Sequence, residues 1–264
     1  MRETYETQAK GLRILPGHWR PHYPFEQIAW ISPPWPSQDY VWLDFPEAIF
    51  TNQGLVFLSH VNPGVGSLYT DLPAVPWQTC EGGIAFERLL PNGVCFGGSV
   101  TKENDLCAGL RLYIENGTSQ PLKNITLQTC LFLRACREFA DYTMNNKRVH
   151  VAGHGWKSFP DARQCNGASG QYGLGWRGGP KILDWPLMLA ESNRAQRLVA
   201  MTWYDDTVSV IGNSKHPCLH ADPKFKDLEV GERSTIRGSI IFFEGTLDAF
   251  AAAFRPWEKP RSFR

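Results

Sequence analysis

Several features are scarce in this sequence, and each scarcity excludes a class of protein. The seven cysteines are odd in number and contain no C-x-x-C pair, so they do not predict a disulfide framework, and most are expected to be buried thiols. Neither sign of charge is in excess, because 27 Lys and Arg against 26 Asp and Glu leave a formal net charge of +1. A chain without a long-range field is not expected to bind nucleic acid or an anionic membrane.

Long apolar runs are also missing. No segment approaches the roughly 20 apolar residues of a membrane span. The N-terminus, MRETYETQAKGLRILPGHW, has mixed charge and no apolar core of a signal peptide. The sequence therefore predicts a cytoplasmic protein without membrane contact. There is no G-x-S-x-G elbow either, which argues against a serine hydrolase.

What the sequence does contain is a series of short apolar runs separated by Gly, Pro and Asn turns. About a dozen such runs and little helical periodicity predict an all-β protein, a large antiparallel β-sandwich with one or two short helices. Residues 136–144 and 247–254 are the helix candidates. We expect a single domain over 1–264, with a Pro- and aromatic-rich wrap over 1–39 and a Gly-rich loop over 160–181.

Two segments show the clearest alternation of apolar and polar residues. Residues 106–115 and 125–134 each place apolar side chains at every second position, as expected of strands with one face on the core. If the two strands are neighbours, one polar face is shared by Arg111, Tyr113, Gln128 and Arg134. A solvated outer face is the alternative.

The most suggestive stretch for function is 201–232. A strand ending in Trp203 leads to Asp205, and a second strand leads to the polar cluster of His216, Cys218, His220 and Asp222. Ionisable side chains at the end of a rigid element are typical of a site in a β protein. Cys218 itself is expected to be a buried thiol.

A second histidine, His154, lies between two glycines, which leave its imidazole unshielded. The leading hypothesis is an enzyme that acts on a sugar or uronic acid by proton transfer, as an epimerase, isomerase or lyase. In this hypothesis His154 and His220 are acid and base, and Asp205 or Asp222 orients an imidazole. The residues proposed to bind a small-molecule or oligosaccharide substrate are Arg111, Gln128, Arg134, Trp156, Arg177 and Trp203.

A divalent metal ion is the second hypothesis, for a hydrolase or lyase. Histidines four residues apart occur at 150/154 and 216/220, but four residues of a strand span about 13 Å, too far for one coordination sphere. The predicted ligands are therefore His60, His154 and His220, with Asp222 as a further candidate.

Two other possibilities stay open. One is a non-catalytic sugar-binding sandwich, and the other is a glycosidase carboxylate pair drawn from Glu47 and other acidic residues.

Two segments carry a resemblance to a known family. LRLYIENGTSQPLKNITLQTCLFL at 110–133 and HPCLHADPKFKDLEVGERSTIRGSIIFF at 216–243 resemble the strand, turn and strand patterns of the galactose mutarotase-like superfamily. That superfamily includes aldose epimerases and domains of polysaccharide lyases. The resemblance implies a supersandwich fold and a carbohydrate ligand.

The same comparison shows a departure at the family's catalytic positions. Aldose epimerases use a His near the first of these segments as general acid and a Glu in the later one as general base. The matching neighbourhoods here contain Gln128 and His220. Because Gln does not exchange a proton at neutral pH, the epimerase pair does not carry over to this chain.

Overall fold

The computed structural model describes residues 10–17, 25–59, 66–165, 173–175, 182–213 and 216–254. Its strands and helices follow in chain order: β1 (Ile14–Pro16), β2 (Ile28–Ile31), β3 (Val41–Thr51), β4 (Gly54–Phe57), β5 (Gln78–Cys80), β6 (Gly83–Leu89), β7 (Val94–Lys102), β8 (Cys107–Asn116), β9 (Thr126–Phe132), β10 (Lys147–Val151), β11 (Gly155–Ser158), α1 (Phe159–Cys165), β12 (Gly173–Gly175), β13 (Leu187–Glu191), β14 (Arg197–Thr202), β15 (Thr207–Ile211), β16 (Cys218–Pro223), β17 (Arg233–Glu244) and α2 (Leu247–Phe254). The predicted all-β antiparallel sandwich is confirmed.

The strands form two sheets. The first has the order β1-β2-β3-β9-β16-β15-β12, with β4 paired to β3. The second has the order β11-β10-β13-β14-β17-β8-β7-β6-β5. The described pairings are antiparallel, and the apolar sides of both sheets meet in one large core. No helix in the described part of the chain has the length and apolar character needed to cross a membrane.

The alternation predicted for the two strand segments is present in β8 and β9. Ala108, Leu110 and Ile114 of β8 are buried in the core, as is Leu131 of β9. However, the two strands are not neighbours, because β8 pairs with β7 and β17 whereas β9 pairs with β3 and β16. The proposed common polar face is therefore wrong, since Arg111 and Gln128 lie on different sheets.

One of the two predicted helices is found where it was expected, as α2. The other segment, 136–144, forms turns. Asp141 accepts hydrogen bonds from the backbone N–H groups of Thr143 and Asn146, and Met144 has a positive φ of 63°. Side-chain bonds of this kind compete with the helical backbone pattern.

The first helix lies inside the segment that was expected to be a loop, 160–181. Ser158 Oγ accepts the backbone N–H of Asp161 at 3.2 Å, and Pro160 occupies the first turn. Both are features of a helix N-terminus. β12 also lies in this segment, and its remaining residues are outside the described ones. In the described part of the N-terminal segment, β1 and β2 extend the edge of the first sheet.

Trp203 lies at the contact between the sheets. It is fully buried, its ring stacks on Phe45 at 6.0 Å and 10°, and its Nε1 donates to Thr129 Oγ1 at 3.1 Å. The prediction that Trp203 stacks on a substrate is therefore wrong. A ring enclosed on both sides by core residues has no face left for a ligand.

We expect Trp203→Ala to lower the free energy of unfolding by about 3–5 kcal/mol, because it leaves a large cavity between the sheets. Urea denaturation followed by far-UV circular dichroism measures this change. Leu89→Ala is the control, since Leu89 is 68% exposed, and its effect should stay within about 0.5 kcal/mol. Equal effects of the two substitutions would contradict the buried position of Trp203.

Candidate functional site

The candidate site lies on the face of the first sheet that points away from the core. Along β16, Leu219 and Ala221 point into the core. Because successive side chains of a strand alternate, Cys218, His220 and Asp222 share the opposite face. The sequence H-x-C-x-H-x-D over 216–222 is therefore a row of polar side chains on one strand.

Strand pairing brings residues from β3 and β9 to the same place. Asp44 of β3 is opposite Cys130 of β9, and Cys130 is opposite His220 of β16. These three residues form one row across the sheet, which we call the ionisable row. Such cross-strand partners have their Cβ atoms about 5 Å apart, so residues distant in sequence become immediate neighbours.

An irregularity in β3 adds Glu47 to this row. Between the pairs Asp44–Cys130 and Ala48–Gln128, three residues of β3 face one residue of β9. Such a bulge re-aims a side chain. Glu47 Oε2 here lies 3.6 Å from His220 Nδ1, and both side chains are 5% exposed.

His220 is contacted on both ring nitrogens. Its Nε2 lies 3.2 Å from Cys218 Sγ, and its Nδ1 lies 3.4 Å from Gln128 Nε2, in addition to the contact with Glu47. The imidazole is thus held between a thiol on one side and a carboxyl group and an amide on the other.

Burial and neighbouring charges shift the pKa values of these groups. Burial raises the pKa of Glu47 to about 7, against the lowering effect of His220. Burial acts to lower the pKa of His220. Its negatively charged neighbours outweigh burial and raise this pKa to about 10, through the charge and hydrogen bond of Cys218 and the charges of Glu47 and Asp222. Burial also raises the pKa of Asp222 to about 6, opposed by His220 and by a hydrogen bond from Ser209.

The two thiols of the cluster differ. A hydrogen bond from Cys130 is the main reason why the pKa of Cys218 lies well below its usual value. His220 and His216 also lower this pKa, whereas burial raises it. The same hydrogen bond, together with burial, raises the pKa of Cys130. The shared hydrogen bond therefore favours ionisation of Cys218 over ionisation of Cys130.

Asp222 is held by its neighbour on β15. Its Oδ2 accepts a hydrogen bond from Ser209 Oγ at 3.1 Å. The backbone N–H of Thr129 also donates a hydrogen bond to this carboxyl group, and its Oδ1 is buried. Asp222 is therefore fixed in place by both neighbouring strands.

A row of aromatic rings lies next to the ionisable row. Trp30 is opposite Trp42, Trp42 is opposite Phe132, and Phe132 is opposite Cys218. The ring centroids are 6.2 Å apart for Trp30 and Trp42, and 6.0 Å apart for Trp42 and Phe132. All three rings are half-buried, and the exposed His216 contacts Phe132 edge-on. The aromatic row and the ionisable row are separated by two residues along each strand, which is a distance of about 7 Å.

The structure brings three of the sequence-predicted residues together, namely Gln128, His220 and Asp222. The proposed acid–base partner of His220 does not join them. His154 is exposed in the turn between β10 and β11, at the edge of the second sheet. The pairing of His154 with His220, for acid–base catalysis or for metal binding, is therefore wrong.

The other predicted residues are also apart from the cluster. Asp205 is exposed in a short 3-10 turn over 204–206, and Arg134 is exposed in the turn after β9. Arg111 is exposed on β8, opposite Arg237. Trp156 packs with Trp185 and Phe250 in a small apolar cluster beneath α2. His60 and Arg177 lie outside the described residues.

Sequence reasoning did not bring Glu47, Cys130 and Cys218 together with His220, although it named Glu47 as one candidate carboxylate and correctly expected Cys218 to be buried. The spacing of polar residues at every second position of 216–222 was the available signal for Cys218. Glu47 and Cys130 carried no such signal, because a bulge and a long-range strand pairing bring them to the site. Among the described residues, Cys130, Cys218 and His220 are also the group that could hold a metal ion, since their ligand atoms lie within 4.8 Å of one another.

Two concavities of the surface lie elsewhere. The larger, of about 740 Å³, is lined by polar residues and a proline: Asn52, Gln53, Asn92, Thr118, Ser119, Gln120, Pro121 and Lys123. Several of these groups hydrogen-bond to one another, and none is a carboxylate or an imidazole. The smaller, of about 250 Å³, lies on the outer face of the second sheet and includes Arg111 and Tyr113. The ionisable row is the stronger candidate because it combines carboxyl, thiol and imidazole groups.

Comparison with known proteins yields similarity in shape alone. No family model and no curated protein matches the sequence. One solved structure with a matching shape is a candidate aldose 1-epimerase from Escherichia coli K12. The match covers 89% of this chain and 100% of that chain, with a TM-score of 0.48 and 10% identity. At this identity the likeness concerns the fold and assigns no role to any residue.

We expect His220→Ala to destabilise the protein by about 1–3 kcal/mol, because it leaves the buried Glu47 and Cys218 without their shared partner. His154→Ala is the matched control on an exposed turn and should change the free energy of unfolding by less than about 0.5 kcal/mol. Chemical denaturation of both variants measures the difference. A larger loss for His154→Ala than for His220→Ala would contradict this description of the cluster.

Proposed function

We propose that this protein is an enzyme that acts on a carbohydrate by proton transfer, as an epimerase, isomerase or lyase. One observation carries the proposal: the aromatic row and the ionisable row lie side by side on one face of the sheet. Sugar rings have an apolar C–H face and a polar hydroxyl edge. A surface with aromatic rings beside buried polar groups is complementary to both.

The aromatic row supplies the stacking surface. Trp42 is at its centre, flanked by Trp30 on β2 and Phe132 on β9. A sugar stacked on Trp42 and Phe132 has its edge directed toward Cys130 and His220, about 7 Å away along the strands. This distance is within the width of one sugar ring and its substituents.

Two carboxyl groups are the proposed proton carriers. Glu47 and Asp222 lie on either side of His220, one on β3 and one on β16, and both are buried. His220 positions Glu47 through its Nδ1. Asp222 Oδ1 and the half-buried amide of Gln128 are the proposed partners of sugar hydroxyl groups.

The charge of the site favours a neutral sugar over a uronic acid. Asp44, Glu47 and Asp222 bring three buried carboxyl groups to the same face. Repulsion between like charges disfavours a substrate that carries a carboxylate of its own. Arg111, which was predicted to bind such a carboxylate, is on the other sheet.

The experiment uses ¹H NMR in D₂O with D-glucose, D-galactose and D-mannose as probes, each presented as one freshly dissolved anomer. The enzyme should accelerate anomer interconversion, or exchange of a C–H proton for deuterium, with at least one sugar. We expect Glu47→Gln and Asp222→Asn each to lower that rate by about 10²–10⁴-fold while the sugar still binds. Glu81→Gln, at an exposed carboxyl group, is the matched control and should retain the wild-type rate.

The aromatic row is tested separately by Trp42→Ala. Loss of the stacking surface should raise KM at least tenfold with a smaller change in kcat, because ring stacking acts on the bound sugar before and during reaction. Binding without turnover in the wild-type protein, abolished by Trp42→Ala, would show a non-catalytic sugar-binding sandwich. An unchanged KM would remove Trp42 from the site.

A further inference from the structure

The strongest unexplained feature of the cluster is the closeness of two thiols to one imidazole nitrogen. Cys130, Cys218 and His220 have their ligand atoms within 4.8 Å of one another, and all three residues are buried. Within this group, the thiol of Cys218 contacts three polar side chains, those of Cys130, His216 and His220. A buried cysteine normally behaves as a small apolar residue, so a thiol with three polar neighbours requires another explanation.

The strand geometry makes the three side chains point the same way. Cys130 and His220 are directly opposite on β9 and β16, and Cys218 is two residues from His220 on the same strand. The ligand atoms therefore converge above one face of the sheet, and a tetrahedral ion held by them would have its fourth position on the side away from the sheet. Three protein ligands with one further position is the arrangement of reactive zinc sites.

The distances are close to those that a metal requires. Zinc bonds of about 2.3 Å to sulfur and about 2.0–2.1 Å to nitrogen place tetrahedral ligand atoms about 3.3–3.8 Å apart. Cys218 Sγ and His220 Nε2, at 3.2 Å, are already near this separation. Small rotations of the side chains would bring the remaining pairs, all within 4.8 Å, to the required separation.

The other side of the imidazole has the surroundings of a metal ligand. His220 Nδ1 faces Glu47 Oε2 at 3.6 Å. A histidine that binds a metal through one nitrogen commonly directs the other N–H to a carboxylate, which fixes the tautomer and the ring orientation. The contact between Glu47 and Nδ1 therefore favours metal binding by His220 through its Nε2.

We propose that Cys130, Cys218 and His220 bind a thiophilic divalent cation, with Zn²⁺ the ion that this donor set selects. Binding forms two metal–sulfur bonds and one metal–nitrogen bond. Any protons held by the two thiols and by the ligating Nε2 of His220 are released to solvent. This site goes beyond the proposed carbohydrate reaction, and its test does not depend on turnover. With the cation bound, Glu47 and Asp222 keep their proposed roles and His220 keeps its contact with Glu47.

The test uses the full chain purified without an affinity tag, incubated with ZnSO₄, dialysed, and measured by inductively coupled plasma mass spectrometry. We expect about one equivalent of zinc for the wild-type protein. Cys130→Ser and Cys218→Ser should each weaken binding at least tenfold. Cys95→Ser, at a half-buried cysteine on β7 of the other sheet, is the matched control and should bind as the wild type does.

Cobalt provides a readout that does not rely on the variants. Co²⁺ bound to the wild-type chain should give thiolate-to-metal charge-transfer absorption in the near ultraviolet and the strong visible bands of a tetrahedral site. Wild-type protein that retains less than about a tenth of an equivalent of zinc and shows no such cobalt spectrum overturns the proposal, whether or not the serine variants fold. Zinc retained equally by the wild type and by Cys130→Ser and Cys218→Ser would also overturn it, because the cation would then be bound elsewhere. Sugar turnover by a wild-type protein that fails both the zinc and the cobalt test would leave the proposed function standing while this inference fails.

Discussion

The register between β3, β9 and β16 is the constraint on which the candidate site depends. The apolar side chains of these strands form one wall of the core. The alternate positions place Asp44, Cys130 and His220 in one row and Trp42 with Phe132 in the next. Because side chains alternate with a period of two, a slip of one residue would exchange the two faces. The packing of the core therefore also fixes the geometry of the site.

The cluster around His220 is stable only as a unit. Burying a single carboxyl group or thiolate away from water is unfavourable, but here Glu47 and Cys218 both contact His220, and Asp222 accepts a hydrogen bond from Ser209. Removing one member leaves the others buried without it, which is more unfavourable than the original arrangement. Function and stability are therefore coupled at these positions, and the residues cannot be treated as independent sites.

The fold class and the alternation of β8 and β9 follow from local sequence patterns, because hydrophobic period and turn residues act over a few positions. Which sheet a strand joins is decided by contacts far along the chain, so local patterns left open whether β8 and β9, consecutive in sequence, are neighbours, and the structure places them on different sheets. The same limit explains the site. His220, Asp222 and Gln128 are carried by segments with clear patterns, whereas Cys130 meets His220 across 90 residues and His154 belongs to the other sheet.

The bulge in β3 has a consequence for how the length of this chain can vary. Three residues there face one residue of β9 between two correctly paired positions. Gain or loss of a single residue between Trp42 and Asp44 would exchange the faces of the residues before it, burying Trp42 and turning Leu43 outward, whereas the bulge itself can absorb an extra residue. Length changes in this segment should therefore be confined to the bulge between Asp44 and Ala48, and related proteins that preserve the site should keep the equivalents of Trp42 and Asp44 two residues apart.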